Sequence, residues 1–268
     1  MKNKIERLKE NLKYLKLPYI LDNFQKDASE AADKNLAHLD FLDELINAEA
    51  QHRYERMVQR RIRNAHFPFI KTLDRYRWTH PRKINRQQIQ HLFHLSFLGT
   101  QDNIIFIGNT GVGKTHLAIA LGYQACSKGH SVLFSTAMDI ISHLSAAQAA
   151  NTLIQGLKKY TAPTILIMDE IGYLPIDKRG ADLLFQVISK RYERGSIIIT
   201  TNRPFKQWPT IFDNDSTLTS AILDRLLHHG QVSLIDSNSY RMKDRISPGE
   251  TPPEDHADPK QQDDDEDK

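Results

Sequence analysis

Three short stretches carry residue types that could act together on one substrate. GNTGVGKT, Gly108 to Thr115, fits the pattern Gly-x-x-x-x-Gly-Lys-Ser/Thr. Glycines let a backbone wrap tightly enough for successive N–H groups to face phosphate oxygens, and a following helix turns its positive N-terminus to the same anion. Gly108, Asn109, Thr110, Gly111, Val112 and Gly113 then form the cradle. Lys114 reaches the β- and γ-phosphates of a nucleotide, Thr115 offers a hydroxyl to Mg²⁺, and His116 follows in the first helical turn. The second stretch, ILIMDE (165–170), ends an apolar run in two carboxylates. A strand ending beside the cradle places Asp169 on the metal shell and leaves Glu170 to polarise a water. The third, IIITTN (197–202), ends a strand in the amide of Asn202, which can orient that water and sense the terminal phosphate. The glutamate and the asparagine together point to hydrolysis by a positioned water, not to transfer onto a small acceptor.

Such groups need strands that end side by side. Five short apolar runs fall at Ile104–Ile107, Val132–Phe134, Ile165–Met168, Ile197–Thr200 and Val232–Ile235. Four are rich in Ile and Val and too short for buried helices, as expected of strands covered on both faces. Helical segments between them, among them His116–Lys128 and Ala181–Arg194, give the alternation of a parallel sheet. Ahead of this, residues 1 to about 66 read as helix. Ile5, Leu8, Leu12 and Leu15 recur at helical spacing until Pro18. A second helix starting after Asp33 carries Leu39, Leu42, Ile46, Ala50, Tyr54 and Met57 as its apolar stripe and closes before Pro68.

Charge is unevenly spread. The net +3 conceals a C-terminal segment from Ser247 with nine acids against two lysines, punctuated by prolines, that cannot bury enough surface to fold. Between Arg53 and Arg86 eleven lysines and arginines face only Glu55 and Asp74. A one-sided block of this kind suits a polyanion, and Arg53, Arg56, Arg60, Arg61 and Arg63 are the candidate contacts to DNA phosphates. Phe67, Phe69, Tyr76 and Trp78 interleave with it, either as base-stacking rings or, the preferred reading, as an apolar clamp between the helical segment and the sheet. A single cysteine, Cys126, permits no internal disulfide, and no apolar run reaches bilayer length; both suit a cytoplasmic protein with no membrane partner. The histidines read as surface groups. His228 and His229 in particular, side by side on a helix, are not expected to share a metal.

GNTGVGKTHLA, ILIMDEIGYLP, GADLLFQVISKRYERGSIIITTNRPFKQW and AILDRLLHHG together resemble the IstB-type helper ATPases of insertion-sequence transposition, AAA+ proteins related to bacterial helicase loaders. The resemblance spans residues 1 to 246. It implies an α/β P-loop AAA+ module with a parallel sheet over residues 69–246, preceded by a small all-α DNA-binding and oligomerisation domain over 1–68 and followed by a disordered acidic tail over 247–268. Lys114 and Thr115 correspond to Walker A, Asp169 and Glu170 to Walker B, and Asn202 to sensor 1. Arg225 in LDRLL corresponds to the finger that completes a neighbour's site, and Arg241 to sensor 2. ATP and Mg²⁺ are the implied cofactors; double-stranded DNA, a cognate transposase and further copies of the chain are the implied partners. Two departures stand out. Only 44 residues separate Asn202 from the acidic tail, too few for a full helical lid, and DRYRWTHPRK (74–83) is basic where relatives are often acidic. A helicase loader is the alternative reading. A small-molecule kinase lacks an arginine-rich lid here, and a scaffold with a dead cradle is at odds with intact Lys114, Asp169 and Glu170.

Overall fold

A computed structural model of the chain describes residues 2–79 and 83–236. Arg241 and the acidic tail lie outside the described residues. Three helices come first: α1 (Lys2–Tyr14), α2 (Pro18–Asp33) and α3 (His38–Asn64). The short helices α4 (Arg86–Leu92) and α5 (Phe97–Thr100) lead into the alternating part. It runs β1 (Asn103–Gly108), α6 (Lys114–Ser127), β2 (Val132–Thr136), α7 (Ala137–Ala149), α8 (Leu153–Thr161), β3 (Ile165–Ile171), α9 (Lys178–Arg191), β4 (Ser196–Thr201), α10 (Trp208–Ile211), α11 (Ser216–His228) and β5 (Gly230–Ile235).

The five strands form one parallel sheet in the order β2-β3-β4-β1-β5. Successive side chains on a strand point to opposite faces, so each central strand feeds two cores. Ile105, Ile107, Leu166, Met168, Ile197 and Ile199 pack with α7, α8, α9 and α11. Ile104, Phe106, Ile165, Ile167 and Ile198 pack with α4, α6 and the end of α3. That two-sided burial is why the runs read as continuous Ile and Val. The Arg191 guanidinium, fully buried, ties the entry to the sheet by donating to the carbonyls of Tyr160, Pro163, Thr164 and Ser196. Burial lowers its pKa to about 10.

The N-terminal helices depart from expectation in two ways. Pro18 ends the first helix and also opens another, because a proline at the first helical position gives up only an N–H that has no partner there. Glu49 of α3, buried, accepts from the Ile20 N–H and so caps α2 from across the interface. The stripe read on α3 faces outward. Leu39 is 78% exposed, and Leu42, Ile46 and Tyr54 are about half exposed. Phe41, Leu45 and Ala48, on the other side of the helix, line a cavity against α2 together with Tyr19 and Ala31. The helix carries two apolar faces, and periodicity alone selects the one whose N-terminal half, at Leu39, Leu42 and Ile46, its own chain leaves uncovered.

Candidate nucleotide-binding site

The cradle is the turn between β1 and α6. Gly111 and Gly113 adopt positive φ of 82° and 98°, where a side chain is strained. A Cβ on Gly113 would also meet the Tyr76 ring at 2.8 Å. Tyr76 is buried against the turn, stacks edge-on against Trp78 and His116, and reaches the Val112 carbonyl at 3.4 Å. Burial raises its pKa to about 12, so it stays a neutral phenol. His116 is fixed to the Thr72 carbonyl at 3.0 Å, with its pKa lowered chiefly by burial. Phe67 packs over Gly122 and Ile167. Phe67, Tyr76 and Trp78 thus belong to the clamp, whereas Phe69 is 47% exposed under Lys71.

Lys114 opens α6, and its ammonium donates to the carbonyls of Gly108 and Asn109, both at 2.7 Å. Thr115 donates to Asp169 at the end of β3, 2.9 Å to Oδ1 and 3.2 Å to Oδ2. Burial raises the Asp169 pKa above its ordinary value, opposed by hydrogen bonds from Thr200 and Thr115 and by the charge of Lys114. Glu170 is exposed and has a φ of 62°. Thr110, Gly111, Lys114, Thr115, Glu170, Thr200 and Asn202 line one cavity of about 50 Å³, so the three motifs converge. A larger space of about 560 Å³ opens on the other side of Thr115, Asp169 and Glu170, toward Thr136 and Lys159.

The donor set fits a nucleotide and a hard cation: glycine turns with positive φ, a helix N-terminus, a lysine, and a hydroxyl already paired with a carboxylate.

Arg225 stands apart from this cavity. Its guanidinium donates to the Ala221 carbonyl and lies over the Phe185 ring, 4.9 Å from the centroid. Its own carbonyl is held by the Asn103 side chain at the start of β1, the end of the strand remote from the cradle. Among the described residues no carboxylate forms a salt bridge with it. The arginines of α3 divide. Arg53 is occupied within the chain by the Lys16 carbonyl and by Glu49, and Arg61 by Met57. Arg56, Arg60 and Arg63, with Arg53, line one open groove along the helix.

The histidines of the pair are both exposed, as expected, but they do not share one helix. α11 ends at His228, so His229 leaves the helix, and the two rings approach to 4.3 Å between centroids with Glu193 near both. Thr200 carries no signal in the sequence, although it touches both residues of the carboxylate pair.

The fold and site define a P-loop nucleotide-binding module on a five-stranded parallel sheet. The IstB-like ATP binding protein family model matches residues 10–247, and the chain belongs to that family. Its sequence is 41% identical over 247 residues to the ATP-binding protein of insertion sequence IS232 from Bacillus thuringiensis subsp. berliner, covering 92% of this chain and 98% of that one. It is 38% identical to the IS5376 ATP-binding protein of Geobacillus stearothermophilus, covering 90% and 95% of the two chains. Among solved structures the fold is similar to the DnaI protein (TM-score 0.53, 16% identity, 62% of this chain and 90% of that one). It is also similar to the DnaC helicase loader (TM-score 0.50, 24% identity, 65% and 98%).

Proposed function

We propose that the chain hydrolyses ATP in a Mg²⁺-dependent manner, assembles with further copies of itself when ATP is bound, grips duplex DNA with little sequence preference, and assists the transposase of an insertion sequence. The observation that carries this reading is the convergence of Lys114, Thr115, Glu170 and Asn202 on one cavity, with Asp169 hydrogen-bonded to Thr115 behind it. Lys114 and the α6 N-terminus bind the phosphates. Thr115 and Asp169 would hold Mg²⁺, which supplies charge neutralisation at the phosphates. Glu170 takes up the proton of the attacking water, and Asn202 orients that water. Arg56, Arg60 and Arg63 share a helix face suited to consecutive phosphates, and the uncovered stripe of Leu39, Leu42 and Ile46 suits a neighbouring copy.

The relatives named for insertion sequences favour a transposase as client; the fold likeness to DnaC supports a helicase loader as second reading. Glu170→Gln tests the core of the proposal. It should retain ATP and accumulate as a DNA-bound oligomer, while Lys114→Ala loses nucleotide and assembly together. Hydrolysis by Glu170→Gln at the wild-type rate would remove Glu170 from its role. Co-purification with a replicative helicase and not with a transposase would transfer the machine to the loader reading.

A further inference from the structure

Thr200 lies one residue from the end of β4 and is 1% exposed. Its hydroxyl accepts from the Glu170 N–H at 3.0 Å and contacts Asp169 Oδ1 in a close hydrogen bond. A peptide N–H can only donate, so the single hydroxyl proton is directed to the Asp169 carboxylate. The order is therefore fixed: Glu170 N–H to Thr200 Oγ1, and Thr200 O–H to Asp169.

The backbone explains why a side chain is needed here. β3 and β4 pair Met168 with Ile199, then Ile171 with Thr201. Three steps on β3 thus match two on β4, which is a β-bulge at Asp169 and Glu170. A bulge withdraws ladder hydrogen bonds, and this one also sets Glu170 at a φ of 62°. The Thr200 hydroxyl stands in for the missing ladder partner of Glu170, and the same atom meets the carboxylate that Thr115 holds from the cradle side.

We propose that Thr200 is a positioning residue for the ATPase reaction assigned above: its hydroxyl fixes the bulge that aims Glu170 and clamps the Asp169 carboxylate between β4 and the cradle. It acts through those two residues. The inference rests on the ATPase reading, and hydroxyl replacement separates it from a packing role. Thr200→Val keeps the branched shape, leaves the Glu170 N–H without its partner and removes one donor from Asp169. Thr200→Ser keeps the hydroxyl and loses only a methyl.

In the full-length chain, Thr200→Val should bind a fluorescent ATP analogue without Mg²⁺ within about twofold of wild type. Its kcat should fall by about 10- to 100-fold and the Mg²⁺ concentration for half-maximal rate should rise, the range seen when partners of metal ligands are removed. Thr200→Ser should recover to within a few-fold of wild type in both. A wild-type kcat and Mg²⁺ requirement in Thr200→Val would overturn the proposal; so would a Thr200→Ser variant as impaired as Thr200→Val, since packing would then be the cause. If a thermal melt shows that Thr200→Val does not fold, Thr200→Ala against Thr200→Ser decides by the same criteria. A wild-type chain that hydrolyses no ATP would defeat the ATPase reading by itself. Thr200 would then be judged on whether Mg²⁺ tightens analogue binding in wild type and Thr200→Ser but not in Thr200→Val; equal tightening in all three overturns it.

Discussion

Arg225 provides a quantitative test of whether the site is shared between copies. Its carbonyl is bonded to Asn103 at one end of β1, and the cradle starts at Gly108 at the other. Five strand steps of roughly 3.3 Å put about 16 Å between those levels of the sheet. The guanidinium recovers only part of this distance, because it turns back along α11 to the Ala221 carbonyl. That placement is the ground for the expectation that it serves the nucleotide of an adjoining copy. Fingers of this kind contribute about 10³- to 10⁵-fold to kcat, so Arg225→Ala should bind ATP and hydrolyse almost none. Glu170→Gln should be equally inactive with its finger intact. In an equimolar mixture that assembles at random through head-to-tail interfaces, about one interface in four joins an Arg225→Ala pocket to a Glu170→Gln finger. Steady-state phosphate release on DNA should then recover to about a quarter of the wild-type rate per chain. A finger acting within its own chain gives no recovery at any mixing ratio. A mixture shown by crosslinking to co-assemble, yet no faster than its components, would refute the shared site.

Asp169 and the α3 arginines give two further tests. Folding raises the pKa of Asp169, so its ionised form detracts from stability at neutral pH, and the penalty eases as pH falls through the raised value toward the ordinary 3.8. Asp169→Asn should therefore melt at a higher temperature than wild type at pH 7, while losing Mg²⁺-dependent activity; the gap should narrow on acidification. A lower melting temperature at pH 7 would contradict the burial argument. Reversing Arg56, Arg60 and Arg63 to Glu should weaken binding to every duplex and flatten the salt dependence by about 0.9 log units per log salt for each phosphate no longer neutralised. Unchanged affinity across a salt titration would clear that face of α3 of any role in DNA binding.

The sheet is legible because its central strands β1, β3 and β4, buried on both faces, leave little choice of residue, and the apolar runs of the two edge strands also lie within strands. The cradle is legible because glycines and lysine at fixed spacing have few other uses. Other features depend on pairings that sequence does not display. The role of Thr200 requires the register slip opposite it, and nothing in ITTN marks a bulge on the adjoining strand. Glu49 looks like one more surface acid until α2 is docked with its N-terminus against it. The outward stripe of α3 follows from the right rule applied to a helix with two apolar faces, and α2 escapes notice when Pro18 is read only as a stop. His228 and His229 turn on a helix end falling between them.

The anchoring of α3 has a mechanical consequence. The Tyr54 hydroxyl donates to the Ser127 carbonyl at the end of α6, and the Ala65 carbonyl, at the helix C-cap, receives the Phe134 N–H of edge strand β2. Everything N-terminal of Tyr54 overhangs these two attachments, and the sixteen residues from His38 amount to about 24 Å of helix. The helix is thus a lever whose fulcrum is bolted to the two elements flanking the cradle and the carboxylate pair. A tilt of about 10° at the fulcrum, an ångström-scale adjustment where α6 and β2 lie, carries the tip at Leu39 through about 4 Å. Displacements too small to notice around a phosphate would arrive at the uncovered apolar stripe as steps the size of a side chain.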